Sequence, residues 1–315
     1  MISIRSFTYI LLSVCVIVFV GCRSSRETAC IYDPINSNVR NFSDMRHKKV
    51  TNIDIAGGMF KGLLEYLPVG YDAADTSTLY PMIVYFHGRE ARGEGTSTDL
   101  CKILWDGITG TGSSLPPLIE GNAFPDEVIF EGRKYRFIVV SPQFTHYNYP
   151  TSFPSINEVD KVIDYLLANY RVDPKRIYLT GMSTGANMAI EYAGSKLSKG
   201  KIAAISTASL CDSVSIPSNV DRDINPENIA ANGHGVWFMQ CRQDDRCSID
   251  ISMDWYTRIQ KAGGKARLTV LDNNSKDPLM RCARFEHNTW FRMYDPEFIV
   301  DGINLYQWFL QHRSE

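Results

Sequence analysis

The chain has 315 residues, of which 22% are charged and 44% are hydrophobic, and its formal net charge at pH 7 is -2. This length and composition predict a globular protein with a well-buried core. Because the charge is nearly balanced and no basic stripe or nucleic-acid-binding motif is present, nucleic acid is not expected as a partner.

The N-terminus has the features of a targeting segment. A positive charge precedes an apolar run at 10–20, which is too short to span a membrane comfortably. The run ends in V-G-C, which resembles a bacterial lipobox, although Phe19 replaces the usual leucine. Residues 1–22 are therefore predicted to be a lipoprotein signal peptide. Acyl chains on Cys22 would anchor an exported bacterial lipoprotein to a membrane, in the periplasm or at the cell surface. An ordinary secretory signal or an uncleaved anchor is the alternative.

Residues 23–48 are polar and aperiodic, and we predict that they tether the lipid to a folded domain at 49–315. Within that domain, short apolar runs alternate with segments of helical periodicity. The predicted strands are 50–55, 62–68, 82–86, 137–141, 176–180, 202–206, 236–240 and 267–271, the first two as an antiparallel pair. The predicted helices are 157–170, 186–193, 250–262 and 300–312. This alternation predicts an α/β domain with a mostly parallel central sheet and helices on both faces.

The cysteines beyond the signal peptide are expected to form disulfides or to stay as buried thiols, because export implies an oxidising compartment. Six such cysteines allow fifteen pairings, and the sequence does not choose between them. They are Cys30, Cys101, Cys211, Cys241, Cys247 and Cys282. A zinc site is the alternative, but no paired C-x-x-C spacing is present, and two cysteines with five residues between them are poor ligand spacing.

The most informative stretch is the G-x-S-x-G sequence at 181–185. A β-branched, apolar run precedes it and a segment of helical character follows it, which predicts that Ser183 lies in a sharp turn between a strand and a helix. The turn needs glycines because neighbouring backbone passes close to the serine. Unpaired N–H groups at the start of the helix favour negative charge at this point. This is the setting of the nucleophile in a serine hydrolase.

Further motifs follow in an order that resembles the α/β-hydrolase superfamily. They are Y-P-M-I-V-Y-F-H-G at 80–88, V-V-S-P-Q at 139–143, Y-R-V-D-P-K-R-I-Y-L-T-G-M-S at 170–183 and H-N-T-W at 287–290. The chain is most similar to the secreted esterase branch that holds feruloyl esterases, acetylxylan esterases and polyhydroxyalkanoate depolymerases. The resemblance implies an α/β-hydrolase fold over about residues 50–311 and the hydrolysis of carboxylic esters through an acyl-enzyme.

The resemblance implies a triad in the order nucleophile, acid, base. Ser183 is the expected nucleophile, and its hydroxyl needs an adjacent base because it is weak at neutral pH. Of the six histidines, His287 follows the last predicted strand, where this fold places its base. His146 follows a central strand and is the alternative base. His234 precedes a strand, which places it at the opposite end of a parallel sheet.

The acid of the triad holds the correct tautomer of the base and stabilises the imidazolium. In the family it stands four residues after an H-G pair, and here Gln240 and Cys241 replace that pair. Counting from them selects Asp244. Its neighbour Asp245 and the more distant Asp272 are the alternatives.

The resemblance also implies two backbone N–H donors to the oxyanion, from Arg89 and from Thr184, with Glu90 as the alternative to Arg89. His87 is expected to be structural. An arginine is unusual at 89, and its side chain is expected either to contact an anionic group of the substrate or to point to solvent. The long, charged segment at 272–286 is expected to shape the pocket.

The leading hypothesis is a lipid-anchored serine esterase that hydrolyses small-molecule or polysaccharide esters, with acyl or feruloyl esters of plant polysaccharides as the substrates that the resemblance suggests. It is expected to act as a monomer, without metal or cofactor. Two alternatives remain open: a serine peptidase of the prolyl-oligopeptidase kind, and a non-catalytic binding protein on the hydrolase fold.

Overall fold

The structure is a computed structural model that describes residues 29–30, 42, 44–55, 58–105, 112–145, 153–211 and 225–315. The predicted signal peptide, Cys22 and the alternative base His146 lie outside these ranges. Among the described residues, no helix is both long enough and apolar enough to cross a membrane.

Most of the strands coincide with apolar runs of the sequence. In the described residues they are β1 (Lys48–Thr51), β2 (Phe60–Tyr66), β3 (Tyr80–Phe86), β4 (Val128–Phe130), β5 (Arg133–Tyr135), β6 (Ile138–Phe144), β7 (Val172–Met182), β8 (Ala204–Ala208), β9 (Gly235–Cys241) and β10 (Lys265–Leu271). Strands β3, β6, β8 and β9 are buried along almost their whole length, as central strands of a covered sheet must be. Strands β1 and β5, in contrast, are polar and largely exposed or half-buried.

Eight of the described strands form one sheet in the order β1-β2-β6-β3-β7-β8-β9-β10. From β6 to β10 the strands are parallel. Strand β2 is antiparallel to both β1 and β6. Strands β4 and β5 form a separate hairpin. The predicted mostly parallel sheet, with an antiparallel pair at its start, is confirmed.

Helices cover both faces of this sheet. In the described residues they are α1 (Ser97–Leu104), α2 (Leu115–Glu120), α3 (Ile156–Asn169), α4 (Thr184–Ala193), α5 (Pro226–Ala231), α6 (Ile249–Lys261), α7 (Trp290–Met293) and α8 (Leu305–Leu310). One apolar cluster lies between the sheet and helices α1, α2, α7 and α8. A second lies on the opposite face, between the sheet and helices α3, α4, α5 and α6. Successive residues of β3 alternate between the clusters, since Ile83 belongs to the first and Val84 to the second.

Two predicted elements differ from the structure near their ends. The strand predicted at 50–55 ends at Thr51, because Asn52 has a φ of 58° and turns the chain away from the sheet. The helix predicted at 300–312 is limited to α8. Residues Asp301 and Gly302, with φ of 51° and 79°, make a turn that the helical pattern of the sequence did not reveal. The side chain of Asn304 then caps the N-terminus of α8.

Several residues of the predicted tether contact the domain. Cys30 is fully buried and is joined by a disulfide to Cys101 in α1. The backbone of Cys30 also pairs with Phe42. His47 Nδ1 lies 2.6 Å from Glu120 Oε1, and neither side chain is exposed.

Candidate active site

Ser183 lies in the turn between β7 and α4, with a φ of 52° and a ψ of -122°. Backbone strain of this kind is stored at functional sites when the surrounding structure holds it in place. The Ser183 N–H donates to the Ala208 carbonyl over 2.9 Å, which fixes the turn to the end of β8. Gly181 and Gly185 flank this turn, and the backbone atoms around them leave no space for a side chain. A Cβ at Gly181 would lie 2.4 Å from Gly185 C, and one at Gly185 would lie 2.0 Å from Phe86 O.

The predicted acid and base are in contact. His287 Nδ1 lies 2.8 Å from Asp244 Oδ2, and the side chains are 6% and 0% exposed. The other Asp244 oxygen accepts the N–H groups of Arg246 and Cys247 at 3.0 and 3.1 Å. A carboxylate that accepts several hydrogen bonds has a fixed position and orients the imidazole that it contacts. Asp244 is therefore positioned as the acid of a triad.

The two alternative acids are not placed beside His287. Asp245 is exposed on the same loop. Asp272 forms an ion pair with Arg242 over 2.8 Å and accepts a hydrogen bond from Gln243. In the described part of the chain, only Asp244 of the three candidates contacts the imidazole.

Gln240 contacts the predicted acid, which the motif at this position does not predict. Its Nε2 donates to Asp244 Oδ2 over 2.8 Å and to the Cys247 carbonyl over 2.9 Å. Its Oε1 accepts from Ser252 Oγ over 3.2 Å. A signal was present, because a glutamine within an apolar strand must find partners when it is buried. Gln240 is fully buried, and it holds the acid in place.

A second polar cluster fixes the backbone around His287. Ser209 Oγ donates to the His287 carbonyl and lies 2.8 Å from Thr289 Oγ1, which donates to the Met239 carbonyl. The His287 ring meets the edge of the Trp290 ring at a centroid distance of 5.6 Å. The imidazole therefore has a fixed orientation, with Nδ1 toward Asp244.

The nucleophile and the base do not share a hydrogen bond in the described residues. Ser183 Oγ lies 3.8 Å from Cys211 Sγ. Cys211 forms a disulfide with Cys247, and both sulfurs lie within 4.8 Å of a ring nitrogen of His287. In ligand-free hydrolases the hydrogen bond between serine and histidine is often long or poorly aligned, and it tightens when substrate binds.

The predicted oxyanion donors lie on neighbouring turns. Thr184 is the first residue of α4, so its N–H has no carbonyl partner within the helix. Arg89 begins a 3₁₀ turn at Arg89–Ala91, which follows β3 after His87 and Gly88. The turn after β3 and the turn at Ser183 lie close together. Phe86 pairs with Gly181 at the ends of the two strands, and a Cβ at Gly88 would lie 3.3 Å from Met182 Cε. The Arg89 side chain is exposed.

His87 supports this turn. Its Nδ1 lies 2.7 Å from the Gly88 carbonyl and its Nε2 lies 3.2 Å from the Phe144 N–H. Nδ1 must donate to the carbonyl oxygen, and Nε2 must accept from the N–H group. The ring is therefore the neutral tautomer with its proton on Nδ1. The ring also stacks on Phe144 at 4.1 Å. His87 therefore has the structural role that was expected of it.

The segment at 272–286 is tied to the end of β9. Cys282 forms a disulfide with Cys241, the last residue of that strand. The Arg246 guanidinium lies 4.8 Å above the Phe285 ring, which in turn lies 5.9 Å from the His287 ring. The end of the segment therefore contacts the base, and its role in shaping a pocket stays a prediction.

The six candidate cysteines form three disulfides, and the sequence did not define the pairing. One of them, Cys211–Cys247, lies in the only group of potential metal ligands found among the described residues, together with His287. Sulfur atoms that are bonded to each other are poor metal ligands, because the thiolate is the form that binds.

Comparisons with known proteins agree on the fold. No family model matches the chain. A stretch of 46 residues is 41% identical to a putative alpha/beta hydrolase of Acanthamoeba polyphaga mimivirus, covering 15% of this chain and 18% of the viral protein. The structure is similar to that of a thermostable esterase, with a TM-score of 0.55 and 17% identity, over 86% of this chain and 64% of that one.

Two further structures are similar. Thermogutta terrifontis esterase 2, phosphorylated by paraoxon, matches with a TM-score of 0.53 and 13% identity, over 81% of this chain and 96% of that one. A putative dipeptidyl aminopeptidase IV from Bacteroides ovatus matches with a TM-score of 0.51 and 14% identity, over 84% of this chain and 36% of that one. The chain spans less than two thirds of the thermostable esterase and less than a fifth of the viral relative. With the sheet order and the turn at Ser183, these matches establish that this chain has the α/β-hydrolase fold.

Proposed function

We propose that the protein is a serine hydrolase that cleaves carboxylic esters, with Ser183 as nucleophile, His287 as base and Asp244 as the orienting acid. The observation that carries this proposal is the strained turn at Ser183 together with the buried pair of Asp244 and His287. Cys211 Sγ relates the two, since it lies 3.8 Å from Ser183 Oγ and within 4.8 Å of a ring nitrogen of His287. Such a pair activates a serine, because the imidazole accepts the hydroxyl proton and the carboxylate stabilises the resulting imidazolium.

In the proposed reaction, Ser183 Oγ attacks the ester carbonyl while His287 removes its proton. The tetrahedral intermediate collapses when the protonated imidazole gives this proton to the leaving alcohol, and an acyl-enzyme remains. Water, deprotonated by the same imidazole, then releases the acid and restores the hydroxyl of Ser183. The N–H groups of Arg89 and Thr184 would stabilise the oxyanion, and such donors contribute about 3 kcal/mol each.

The preferred substrates under this proposal are acyl or feruloyl esters of plant polysaccharides. Support comes from the motifs at 80–88, 139–143, 170–183 and 287–290, whose resemblance is to secreted esterases of that kind. A peptidase is the second candidate, since the chain is similar in structure to a putative dipeptidyl aminopeptidase IV.

Covalent labelling tests the proposal most directly. Paraoxon or a fluorophosphonate should add one phosphoryl or phosphonyl group to the oxidised protein, and peptide mass spectrometry should place it on Ser183. The Ser183→Ala variant, with an unchanged circular dichroism spectrum, is the control and should remain unlabelled. A panel of aryl, acetyl, feruloyl and peptide substrates then separates esterase from peptidase. A folded protein that neither reacts nor hydrolyses any of them would be a binding protein.

We also propose that Cys22 carries the lipid anchor of the mature protein. The apolar run at 10–20 and the V-G-C sequence that follows it support this. A radioactive fatty acid should label the wild type in a bacterial host and should not label Cys22→Ser. Equal labelling of both proteins would contradict the anchor.

A further inference from the structure

A disulfide forms part of the reaction centre. Cys211 follows β8, and Cys247 lies on the loop that carries Asp244. Cys211 Sγ lies 3.8 Å from Ser183 Oγ, and the two sulfurs and a ring nitrogen of His287 all lie within 4.8 Å of one another. Oxidised, the sulfurs are neutral and bind metals poorly. Reduced, the same atoms become two thiolates and an imidazole.

That donor set is the one that Zn²⁺ prefers. Two cysteines and one histidine form a zinc site with an open fourth position, and Zn–S and Zn–N bonds of about 2.3 and 2.1 Å are within reach of atoms that are 4.8 Å apart or less. The contact between His287 Nδ1 and Asp244 gives the imidazole the hydrogen bonding of a metal ligand. A ligating histidine typically donates its other ring N–H to a carboxylate, and His287 Nδ1 contacts Asp244 in this way.

Reduction need not separate the two cysteines. The Cys211 N–H donates to Asn187 Oδ1 over 3.0 Å, and the Cys247 N–H donates to Asp244 Oδ1 over 3.1 Å. Neither hydrogen bond involves a sulfur atom. The backbone of each cysteine is therefore anchored independently of the disulfide, which keeps the two thiols facing each other.

We propose that Cys211, Cys247 and His287 form a redox-gated site for a thiophilic divalent cation, Zn²⁺ above all, that blocks the active site in the reduced protein. The blocking effect rests on the proposed function, because the metal would occupy the nitrogen that serves as the base. Two electrons and two protons from a dithiol convert the disulfide into two thiols, and the metal displaces the thiol protons. Thiol–disulfide exchange with an oxidised dithiol restores the disulfide, reduces that partner and releases the metal.

This gate fits an exported hydrolase. A chain made in a reducing compartment would bind metal and stay inactive, and oxidation after export would form the Cys211–Cys247 bond and expose His287. The other two disulfides, Cys30–Cys101 and Cys241–Cys282, belong to no such ligand group among the described residues.

Cobalt is the probe for the site, because Co²⁺ bound to thiolates absorbs visible and near-ultraviolet light. The wild type is reduced with a dithiol, freed of reductant without oxygen, checked by circular dichroism, and titrated with Co²⁺. We expect one equivalent to bind with a thiolate-to-cobalt band, and Zn²⁺ to displace it. Cys211→Ser and His287→Ala should weaken binding at least about tenfold. The double variant Cys241→Ser/Cys282→Ser is the matched control and should bind as the wild type does.

The activity measurement uses the same samples. Reduced protein with a chelator should hydrolyse esters, one equivalent of Zn²⁺ should lower the rate at least about tenfold, and chelator should restore it. The proposal is overturned if the reduced protein unfolds, if it binds no stoichiometric Co²⁺, or if Cys211→Ser binds as well as the wild type. It is also overturned if reduction abolishes activity without metal, since the disulfide would then be purely structural. Failure of the oxidised protein to react with paraoxon would refute the proposed hydrolase while leaving the Co²⁺ result to stand alone.

Discussion

Histidines lie near both ends of strand β9, buried at His287 and His234 and partly buried at His312, but their surroundings differ. At the carboxyl end, His287 contacts Asp244, a carboxylate that also accepts hydrogen bonds from Gln240 and from two backbone N–H groups. At the amino end, His234 lies 3.0 Å from Ser198 Oγ, and His312 packs against Trp308 at a ring distance of 4.6 Å. No described carboxylate forms an ion pair with either of them.

The difference shows what makes a buried histidine chemically useful. Burial lowers the pKa of both His234 and His312 to about 4, because the charged ring loses its solvent. These rings stay neutral near pH 7 and serve packing. A base must accept a proton during the reaction, and a carboxylate in contact with the ring, as Asp244 is with His287, stabilises the imidazolium that forms. Among the described residues, the carboxylate that contacts a histidine ring in this comparison, Asp244, lies at the carboxyl end of the strand, as does Ser183.

The largest expected effect is loss of the nucleophile. Ser183→Ala should lower kcat for ester hydrolysis by about 10⁶-fold, the usual cost of removing the serine from a triad. Its fold should be unchanged, as measured by circular dichroism and thermal unfolding. His234→Gln, at the other end of β9, is the matched control and should keep a rate close to the wild type. Residual activity of more than a few per cent in Ser183→Ala would mean that another residue attacks the ester.

Next in size is the contrast between adjacent acids. Asp244→Asn should reduce kcat by about 10⁴-fold, because an amide no longer stabilises the imidazolium or selects the productive tautomer. Asp245 is exposed, so Asp245→Asn should keep normal activity and change the free energy of unfolding by no more than about 0.5 kcal/mol. Steady-state kinetics on one aryl ester gives kcat for both variants and for the wild type. Inactivity of Asp245→Asn with an active Asp244→Asn would transfer the role to the neighbour.

A smaller effect is expected at Gln240, which positions the acid. Gln240→Met keeps the volume and removes the donor to Asp244 Oδ2. Hydrogen bonds to charged groups contribute about 1.5–3 kcal/mol, so kcat should fall about 10- to 100-fold with KM nearly unchanged. Ser252→Ala, which removes only the donor to Gln240 Oε1, is the control and should cost less than about threefold. A variant that loses thermal stability but keeps the wild-type kcat would make Gln240 structural only.

The fold was largely predictable because the pattern of hydrophobic residues along the chain determines where the strands and helices form. Central strands such as β3 and β9 are continuous apolar runs, and the pattern of α3 distinguishes a buried face from an exposed one. The nucleophile turn was predictable as well, since Gly181 and Gly185 are imposed by contacts that no side chain could share. The short turn at Asp301 and Gly302 was not, because the helical pattern of the flanking residues continues through it.

The candidate site was predictable only in part, because its remaining features depend on how distant segments meet. The count from Gln240 selected Asp244, but the role of Gln240 itself depends on the direction of its side chain within a buried strand. Likewise, the pairing of Cys211 with Cys247 follows from the parallel arrangement of β8 and β9, which brings their carboxyl ends together. Neither spacing nor residue type reveals these contacts.

The last expected effect is on stability and not on activity, and it lies at the amino end of β9, in the dependence of stability on pH. The folded-state pKa of His234 and of His312 is about 4, below the value of 6.5 for the exposed side chain. The unfolded chain therefore binds more protons between these values, so the stability from the neutral rings is complete above about pH 6.5 and is lost as the pH falls toward 4. Each tenfold difference in acid dissociation constant corresponds to about 1.4 kcal/mol.

The double variant His234→Gln/His312→Gln should be less stable than the wild type near pH 7, because it loses packing, but its stability should change less between about pH 7 and pH 5. Urea unfolding with the disulfides intact measures this slope, and a slope equal to that of the wild type would show that these two rings are not the groups that titrate.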